Sequence, residues 1–414
     1  MTSLSLPQLA WYGVKELKLP LPDSWSVTHY DFAGYHKSAL SPEEIKAAIA
    51  QPLGTPPIRE LAHGKKEVVI IFDDLTRVTR TYDMLPAVLE ELAAAGIVDS
   101  QIQFVCALGS HMAWDRTLLE KKLGADIFKR FPVYNHNAFN KCTYVGTTSH
   151  GTEIYINGEV MKCDLKIAIG SVVPHPNTGF GGGGKIILPG ISAMETIEAF
   201  HREELKLKEE NPDQQLTGMG HFDENPLRLN IAEAVVLAGL DIKIDCLLNG
   251  WGETVAIFAG ALDSAYPAAV AAARTHYLTP ATAGEDIVIA NTYAKANESI
   301  MIGLHTAFGA VGPDGGDVVL IANAPDGQVT HYLLGTFGKT TRGNIPLAAQ
   351  IPERVGRVVI YSEYPDIAGR ALIEKSDKVS FTDSWDEVLS ILGRAPGAKA
   401  RVAVLPGVEI QYFA

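Results

Sequence analysis

The sequence predicts an α/β protein of two domains, each built on a mostly parallel sheet. Three observations carry that reading. At 414 residues the chain is too long for one ordinary core. It contains short runs that are almost wholly apolar and rich in β-branched residues, the pattern of strands buried on both faces. Between those runs lie stretches of helical period closed by glycine.

Taken in order, "EVVIIF" (67–72) is the first such strand, and "YDMLPAVLEELAAAG" (82–96) is the helix after it, ending at Gly96. "QIQFVCAL" (101–108) and "WDRTLLEKKLG" (114–124) repeat the pair. "KIAIGSVV" (166–173) is a further buried strand. Ser192-Ala193-Met194-Glu195 has the spacing of a capping box, in which serine and glutamate side chains satisfy each other's main-chain N–H groups, so a helix is expected from there to about Glu210. A second series begins near 284, with strands at "EDIVIAN" (285–291), "DVVLIAN" (317–323), "RVVIYSEY" (357–364) and "ARVAVLPG" (400–407) and helices at "DIAGRALIEKS" and "SWDEVLSILGR". "ARTHYLTPATAGED" (273–286) contains Pro and Gly and has no period, so it reads as the linker. The expected domains are 1–275, to which a last strand at about 400–414 can return, and 280–398, with the active site in the crevice between them.

Composition narrows the function. A chain that is 47% hydrophobic and 20% charged can build ordinary globular cores. A net charge of −13 argues against nucleic-acid partners and against an anionic membrane surface. Cys106, Cys142, Cys163 and Cys246 form no C-x-x-C pair, so they read as buried free thiols of a reducing compartment rather than a zinc ribbon or a disulfide framework. The first residues lack a basic-then-apolar signal, and no apolar run is long enough to span a bilayer, so a cytoplasmic protein with no membrane partner is expected.

Three expected strands end in unusual polar sets: Asp73-Asp74-Leu75-Thr76-Arg77, Gly109-Ser110-His111 and Pro174-His175-Pro176. In open α/β sheets ligands bind beyond the carboxyl ends of the strands. Each residue has an ordinary reading too: a solvated histidine, a local Asp74–Arg77 turn, and Asn135-His136-Asn137 as a turn. The coincidence of three strand ends with the glycine loop that follows favours a site. His201 differs, because Ile197 and Leu205 at i−4 and i+4 put it on the apolar stripe of its helix, where a core role competes with metal ligation.

Gly179-Phe180-Gly181-Gly182-Gly183-Gly184-Lys185 satisfies half of a nucleotide-binding P-loop. Ile186 stands where the Mg²⁺-holding hydroxyl belongs, and "IILPG" follows instead of a helix, so an NTPase is rejected. What survives is backbone N–H able to approach an anion, and a lysine placed for charge or covalent chemistry.

"DLTR", "ALGSH", "VYNHN", "PHPNTGFGGGGKIILPG" and the helix ending in "EAFH", with "DENPLR" (223–228) beyond them, resemble the nickel-dependent lactate racemase family across most of residues 60–260. Lys185 follows His175 by ten residues and His201 follows Lys185 by sixteen, as in that family. The resemblance implies a nickel-pincer nucleotide, a pyridinium mononucleotide holding nickel through S, C and S. It implies attachment through Lys185, with Thr76, Gly181, Gly182, Gly183 and Gly184 against the cofactor and His201 as the protein's nickel ligand. It makes His111 and His175 the two general bases and sets Arg77, steadied by Asp74, on the carboxylate of a small 2-hydroxy acid. Cofactor-biosynthesis enzymes are the implied partners. The chemistry suits those residue types, since racemising such an acid by hydride loss needs one base per enantiomer and a fork to hold the carboxylate.

The second domain departs from the pattern. Family members acting on lactate carry an aromatic–amide pair followed by lysine where this chain has Ile300, Met301 and Leu304, and Lys295 and His305 are the candidates to compensate. Lys295, Ile300 and Met301 are thus expected near the substrate, and another 2-hydroxy acid or a sugar acid is as good a candidate as lactate. Two other classes stay open: a related epimerase or dehydrogenase, and a non-catalytic carrier of the cofactor, which would have no use for two bases.

Overall fold

The computed structural model describes residues 2–13, 15–211, 214–334, 349–393 and 398–413. The chain divides into two compact units, residues 37–274 and residues 1–36 with 275–414.

The unit of residues 37–274 is built on six strands: β1 (Val68–Asp73), β2 (Ile102–Ala107), β3 (Val133–Asn135), β4 (Leu165–Ser171), β5 (Ile242–Leu248) and β6 (Thr254–Gly260). Their spatial order is β6-β5-β4-β1-β2-β3. All neighbours are parallel except the β5–β6 hairpin. Every residue of β4 and β5 is buried, which is why these strands carry no alternation. The helices that matter here are α1 (Thr81–Ala94), α2 (Arg116–Leu123), α3 (Met194–Glu210), α4 (Pro226–Ala238) and α5 (Leu262–His276). Val69, Ile71, Val105 and Ala168 of the sheet pack with Phe200 of α3 and Leu227, Ile231, Ala234 and Val235 of α4 in one apolar core.

Sequence order runs one way from β1 through β2 to β3 and then resumes on the other side of β1 with β4. That reversal is the topological switch point at which α/β sheets bind ligands. The registers Asp73↔Ala107, Phe72↔Ile169 and Cys106↔Asn135 bring the carboxyl ends of all four strands level. The segments after β1, β2 and β4 therefore emerge side by side, as the sequence predicts.

The capping box is not formed. Ser192 Oγ donates to the Ile187 carbonyl (2.8 Å), and Ala193 is the N-cap of α3, without a side-chain cap. The hydroxyl is spent on closing the preceding loop, and main-chain bonds from Ala193 and Met194 to Tyr155 and Ala138 start the helix instead.

The other unit has a six-stranded, wholly parallel sheet in the order Val379–Thr382, Val355–Tyr361, Gly316–Ile321, Ile287–Asn291, Ala400–Leu405, Trp25–His29. This corrects the expected domains in two ways. Residues 1–36 belong here rather than to 37–274. The strand near 400 does not return to the first domain, but lies between Ile287–Asn291 and Trp25–His29. The physical reason is a hairpin of Thr2–Gln8 and Lys15–Leu21, whose alternating Leu4, Leu6, Leu19 and Leu21 join the core of Ile287, Val319 and Val402. The helix expected at "DIAGRALIEKS" is only a 3₁₀ stretch, Ala368–Leu372. Asp366 accepts from the N–H groups of Ala368 and Gln328, a local turn that competes with helix. No helix among the described residues is long and apolar enough to cross a membrane.

Leu6 is 1% exposed in this core. Leu6→Ala is expected to destabilise this unit by ~2–5 kcal/mol, the usual cost of truncating a buried leucine. Denaturant titration of the full chain reads it, and an unchanged midpoint would detach the N-terminal hairpin from that core.

Candidate active site

The turn after β1 is organised by its own side chains. Asp74 Oδ1 accepts from the N–H (2.9 Å) and the hydroxyl of Thr76, and Arg77 Nη1 donates to the hydroxyl (2.7 Å) and carbonyl (3.1 Å) of Thr76. Thr76 is fully buried, so its hydroxyl bridges Asp74 and Arg77 rather than facing outward as the cofactor assignment requires. Underneath lies a residue that the sequence reading missed. Lys122 of α2 is 0% exposed, and its Nζ reaches Asp73 Oδ1 (2.7 Å) and the carbonyls of Asp74 and Arg77 (2.8 Å each). A signal was present: Lys122 stands at i+4 from Leu118 and i+3 from Leu119, on the apolar face of its helix. A lysine there needs buried partners.

Asp74 turns its other oxygen to His111. Nδ1 of His111 lies 2.8 Å from Asp74 Oδ2, with the carboxylate almost wholly buried. Burial alone would raise the Asp74 pKa, but His111, Arg77 and Thr76 outweigh it and hold the group below the usual carboxylate range. An ionised Asp74 takes a hydrogen from Nδ1 and leaves Nε2 of His111 with its lone pair. The expectation that Asp74 chiefly steadies Arg77 is thus only part of its role.

His175 is set up differently. It begins a short antiparallel ladder, Pro174–His175 with Gly179–Phe180, that leads into the glycine run. The N–H groups of Asn177 (3.2 Å) and Thr178 (3.3 Å) point at its Nδ1. That selects the tautomer with its hydrogen on Nε2.

The glycine run closes on the chain itself. A Cβ at Gly182 would lie 2.7 Å from the Ser171 carbonyl, at Gly183 2.6 Å from the Tyr266 ring and at Gly184 2.7 Å from Ile231. Gly182 and Gly183 also have φ of +75° and +54°, which favour glycine. At Gly181 a Cβ would meet nothing closer than 3.6 Å. The need for glycine at 182, 183 and 184 is therefore met inside the fold, which departs from the expectation that a cofactor imposes it. Gly183 N–H donates to Asp245 Oδ2 (2.9 Å), whose Oδ1 is held by the buried Lys243 (2.7 Å).

Lys185 and His111 both lie near enough to His201 for their charges to be felt there. Nδ1 of His201 lies 2.7 Å from the Ile197 carbonyl, so its hydrogen is spent within α3 and Nε2 keeps a lone pair. Burial depresses the His201 pKa to about 4, against the Ile197 bond, and the nearby charges of Lys185 and His111 lower it further. A neutral imidazole whose Nε2 carries no hydrogen has the lone pair that a borderline metal needs. Among the described residues no group of three or more His, Cys, Asp or Glu could hold a metal ion, so His201 is a ligand only to a metal that brings its other donors with it.

The unit thus brings together Asp74, Thr76, Arg77, His111, Lys185 and His201, with His175 on the hairpin that leads to Lys185. Lys295, Ile300 and Met301 lie in the other unit. Lys295 is 1% exposed and sits near the buried Glu409, whose carboxylate accepts from the Lys295 N–H (3.0 Å). Ile300 belongs to that unit's core, and Met301 packs against it. Ile300 also forms part of the wall of a cavity of about 250 Å³ at the ends of Gly316–Ile321, Val355–Tyr361 and Val379–Thr382, with Ser362, Asp366, Arg370 and Phe381.

Residues 12–212 match the family described as the lactate racemase N-terminal domain. Lactate racemase of Thermoanaerobacterium thermosaccharolyticum is 28% identical over 334 residues, covering 79% of this chain and 76% of that protein. Over those residues the chain is similar to the lactate racemase family. Lactate racemase of Lactiplantibacillus plantarum is 27% identical over 300 residues, 72% of this chain and 69% of that one. In fold, the chain is similar to the lactate racemase apoprotein of T. thermosaccharolyticum, with TM-score 0.72, 22% identity and 100% coverage of both chains. A protein of Thermotoga maritima shares the fold with TM-score 0.65 and 19% identity, covering 92% of this chain and all of that one. For a lactate racemase relative, the strand-end cluster in residues 37–274 is the candidate active site.

His136, also at a strand end, is a structural group. Its Nε2 lies 2.8 Å from the Ser192 carbonyl, its Nδ1 lies 3.0 Å from Asn157 Nδ2, and burial lowers its pKa to about 4. A histidine whose folded pKa lies below its unfolded value of ~6.5 takes up a proton on unfolding in that window, so stability falls as pH drops from ~6.5 toward 4. His136→Gln is expected to flatten that slope by up to ~1.4 kcal/mol per pH unit. Urea titrations at several pH values measure it, and an unchanged slope would remove His136 as a contributor.

Proposed function

We propose that this chain is an isomerase that racemises or epimerises a 2-hydroxy acid at C2, in the unit of residues 37–274. The observation that carries the reading is the Asp74–His111 hydrogen bond, 2.8 Å, beside Arg77, Lys185 and His201. The reading takes the nickel-pincer nucleotide as cofactor, with Lys185 as the attaching amine and His201 as the protein's metal ligand. When bound, that group supplies the electrophile that accepts hydride from C2 and gives it back. With Lys185 held in a thioamide rather than as an ammonium, the neighbourhood of His201 would carry one positive charge less, which favours a ligand role for that imidazole.

The protein's own part is proton traffic and positioning. Arg77 takes the substrate carboxylate with its guanidinium fork. As hydrogen leaves C2 with its electron pair, Nε2 of His111 takes the hydroxyl proton, and Asp74 stabilises the imidazolium so formed. The keto acid, still held at its carboxylate, presents its other face, hydrogen returns to C2 there, and the oxygen regains a proton from the imidazolium form of the second histidine, His175, which needs the Asn177 and Thr178 N–H contacts at Nδ1 to open. The two histidines start unequal. His111 rests as a base, whereas His175 rests with a hydrogen on Nε2, and serving as a base requires its N–H contacts at Nδ1 to give way.

A cofactor carrier would use Lys185 and His201 but not an aspartate-oriented histidine, and this favours the enzyme. His111→Ala and His175→Ala are each expected to lower racemisation by at least ~10², the usual size of general-base assistance. Nickel content should persist in both, while His201→Ala should lose nickel first. Asp74→Asn, which leaves His111 without its orienting anion, is expected to lower kcat by ~10² or more with little change in KM. The assay is chiral product analysis over a panel of 2-hydroxy acids and sugar acids, paired with metal analysis. A cofactor-loaded His111→Ala protein that racemises its best substrate at the wild-type rate would overturn the mechanism.

Attachment has its own readout. Intact mass from cells that make the cofactor is expected to exceed the chain mass in the wild type and to equal it in Lys185→Ala.

A further inference from the structure

Two buried hydroxyls have no part in the chemistry above. Thr79 is 0% exposed and Ser171 3%. Thr79 stands two residues past Arg77, where the turn after β1 leads into α1, and Ser171 is the last residue of β4. Thr79 Oγ1 lies 2.6 Å from Asp73 Oδ2 and 2.9 Å from Ser171 Oγ.

The hydrogens in this chain have a direction. Asp73 meets the Lys122 ammonium through Oδ1 (2.7 Å), and burial, which pushes its pKa up, is opposed by Lys122, Thr79 and Lys243. A carboxylate only accepts, and a hydroxyl has one hydrogen to give. Thr79 therefore donates to Asp73 Oδ2, and Ser171 donates to Thr79. The β1–β4 ladder ends at Phe72 and Ile169, and the hydroxyl bridge continues it one step further, between side chains.

Gly170, just before Ser171, makes room for the charges. A Cβ there would lie 3.2 Å from Lys243 Nζ, 3.4 Å from Asp73 Oδ2 and 3.7 Å from Asp245 Oδ1. The two buried ion pairs, Lys122 with Asp73 and Lys243 with Asp245, thus converge over a residue without a side chain.

Each end of the bridge carries a piece of the candidate site. On one side, Lys122 ties Asp73 to the carbonyls of Asp74 and Arg77, in the turn that aims Asp74 at His111. On the other, the Val173 carbonyl, two residues past Ser171, accepts from the Gly181 N–H (2.7 Å), and the hairpin of His175 follows.

We propose that Thr79 is a positioning residue: its hydroxyl joins Asp73 to Ser171 and so locks the turn that orients His111 to the strand end that carries His175. The bridge rests on this geometry alone. What it serves, the placing of two bases, rests on the function proposed above.

The test uses the full chain. Ring-nitrogen NMR spectra of the histidines, taken without cofactor and assigned with His111→Ala and His175→Ala, read which nitrogen of each carries hydrogen. Thr79→Val removes the hydroxyl with little change of shape and is expected to shift the signals of both His111 and His175. Thr79→Ser keeps the hydroxyl and is expected to leave them in place. In the cofactor-loaded protein Thr79→Val is expected to lower kcat ~10-fold or more with KM little changed, and Thr79→Ser to restore it. Adding Ser171→Ala to Thr79→Val is expected to change the unfolding constant less than ~2-fold, because the serine has already lost its acceptor. A threonine that only packs would cost stability and leave both histidine signals and kcat alone, and that result would overturn the proposal. So would a Thr79→Ser protein as impaired as Thr79→Val. If Thr79→Val fails to fold, Ser171→Ala takes its place in the same measurements. Signals that move in a chain without racemase activity would uphold the bridge and remove the function, whereas an active wild type whose histidines ignore Thr79→Val would do the reverse.

Discussion

A lysine that never reaches water holds this site together. Nζ of Lys122 meets one carboxylate and two main-chain carbonyls at 2.7–2.8 Å, and those acceptors belong to Asp73, Asp74 and Arg77, along the turn that carries the site. Burying the charge is costly, and removing either partner would be costlier still, since it strands the other in a low-dielectric interior. With Asp73 and both carbonyls fixed from below, the side chain of Asp74 is free to turn to Thr76 and His111. Across the switch point a second buried pair, Lys243 with Asp245, does the same for the glycine loop through the Gly183 N–H. Two lysines inside the protein thus set the positions of loops that would otherwise wander, which is what a preorganised site requires.

Much of the fold was legible because parallel strands buried on both faces announce themselves, and the polar residues that interrupt such runs mark their ends. The adjacency of β1, β2 and β4, and with it the gathering of Asp74, His111 and His175 at one end of the sheet, follows from that pattern together with the rule for α/β crevices. The remainder needed information that is not local. Whether Ser192 caps a helix depends on whether the Ile187 carbonyl claims its hydroxyl first. The hairpin of leucines near residue 1 alternates as a half-buried pair should, but nothing near it in sequence says that the core it joins is made with residues more than 250 positions away. The four glycines could be read as a bare surface or as a tight fit, and only the neighbours on β4, α4 and α5 decide.

Electrostatics gives three histidines of one unit three different characters. His111 has a buried carboxylate on Nδ1, His175 has main-chain N–H groups on Nδ1, and His201 gives its Nδ1 hydrogen to its own helix. In each case the second nitrogen is left in a defined state by what the first one touches. The side chains are chemically identical, and the differences between them lie in their partners.

The chain order of the two units has a consequence for biogenesis. The strand Trp25–His29 pairs with Ala400–Leu405, so a strand made early finds its neighbour only after most of the chain has followed it. Residues 37–274 form a contiguous unit that can fold in the meantime. At ~5–20 residues per second, the leucine hairpin waits on the order of tens of seconds with its apolar face uncovered. During that interval it is a natural client for a ribosome-associated chaperone, and a nascent chain halted before residue 400 would be left with an open sheet edge.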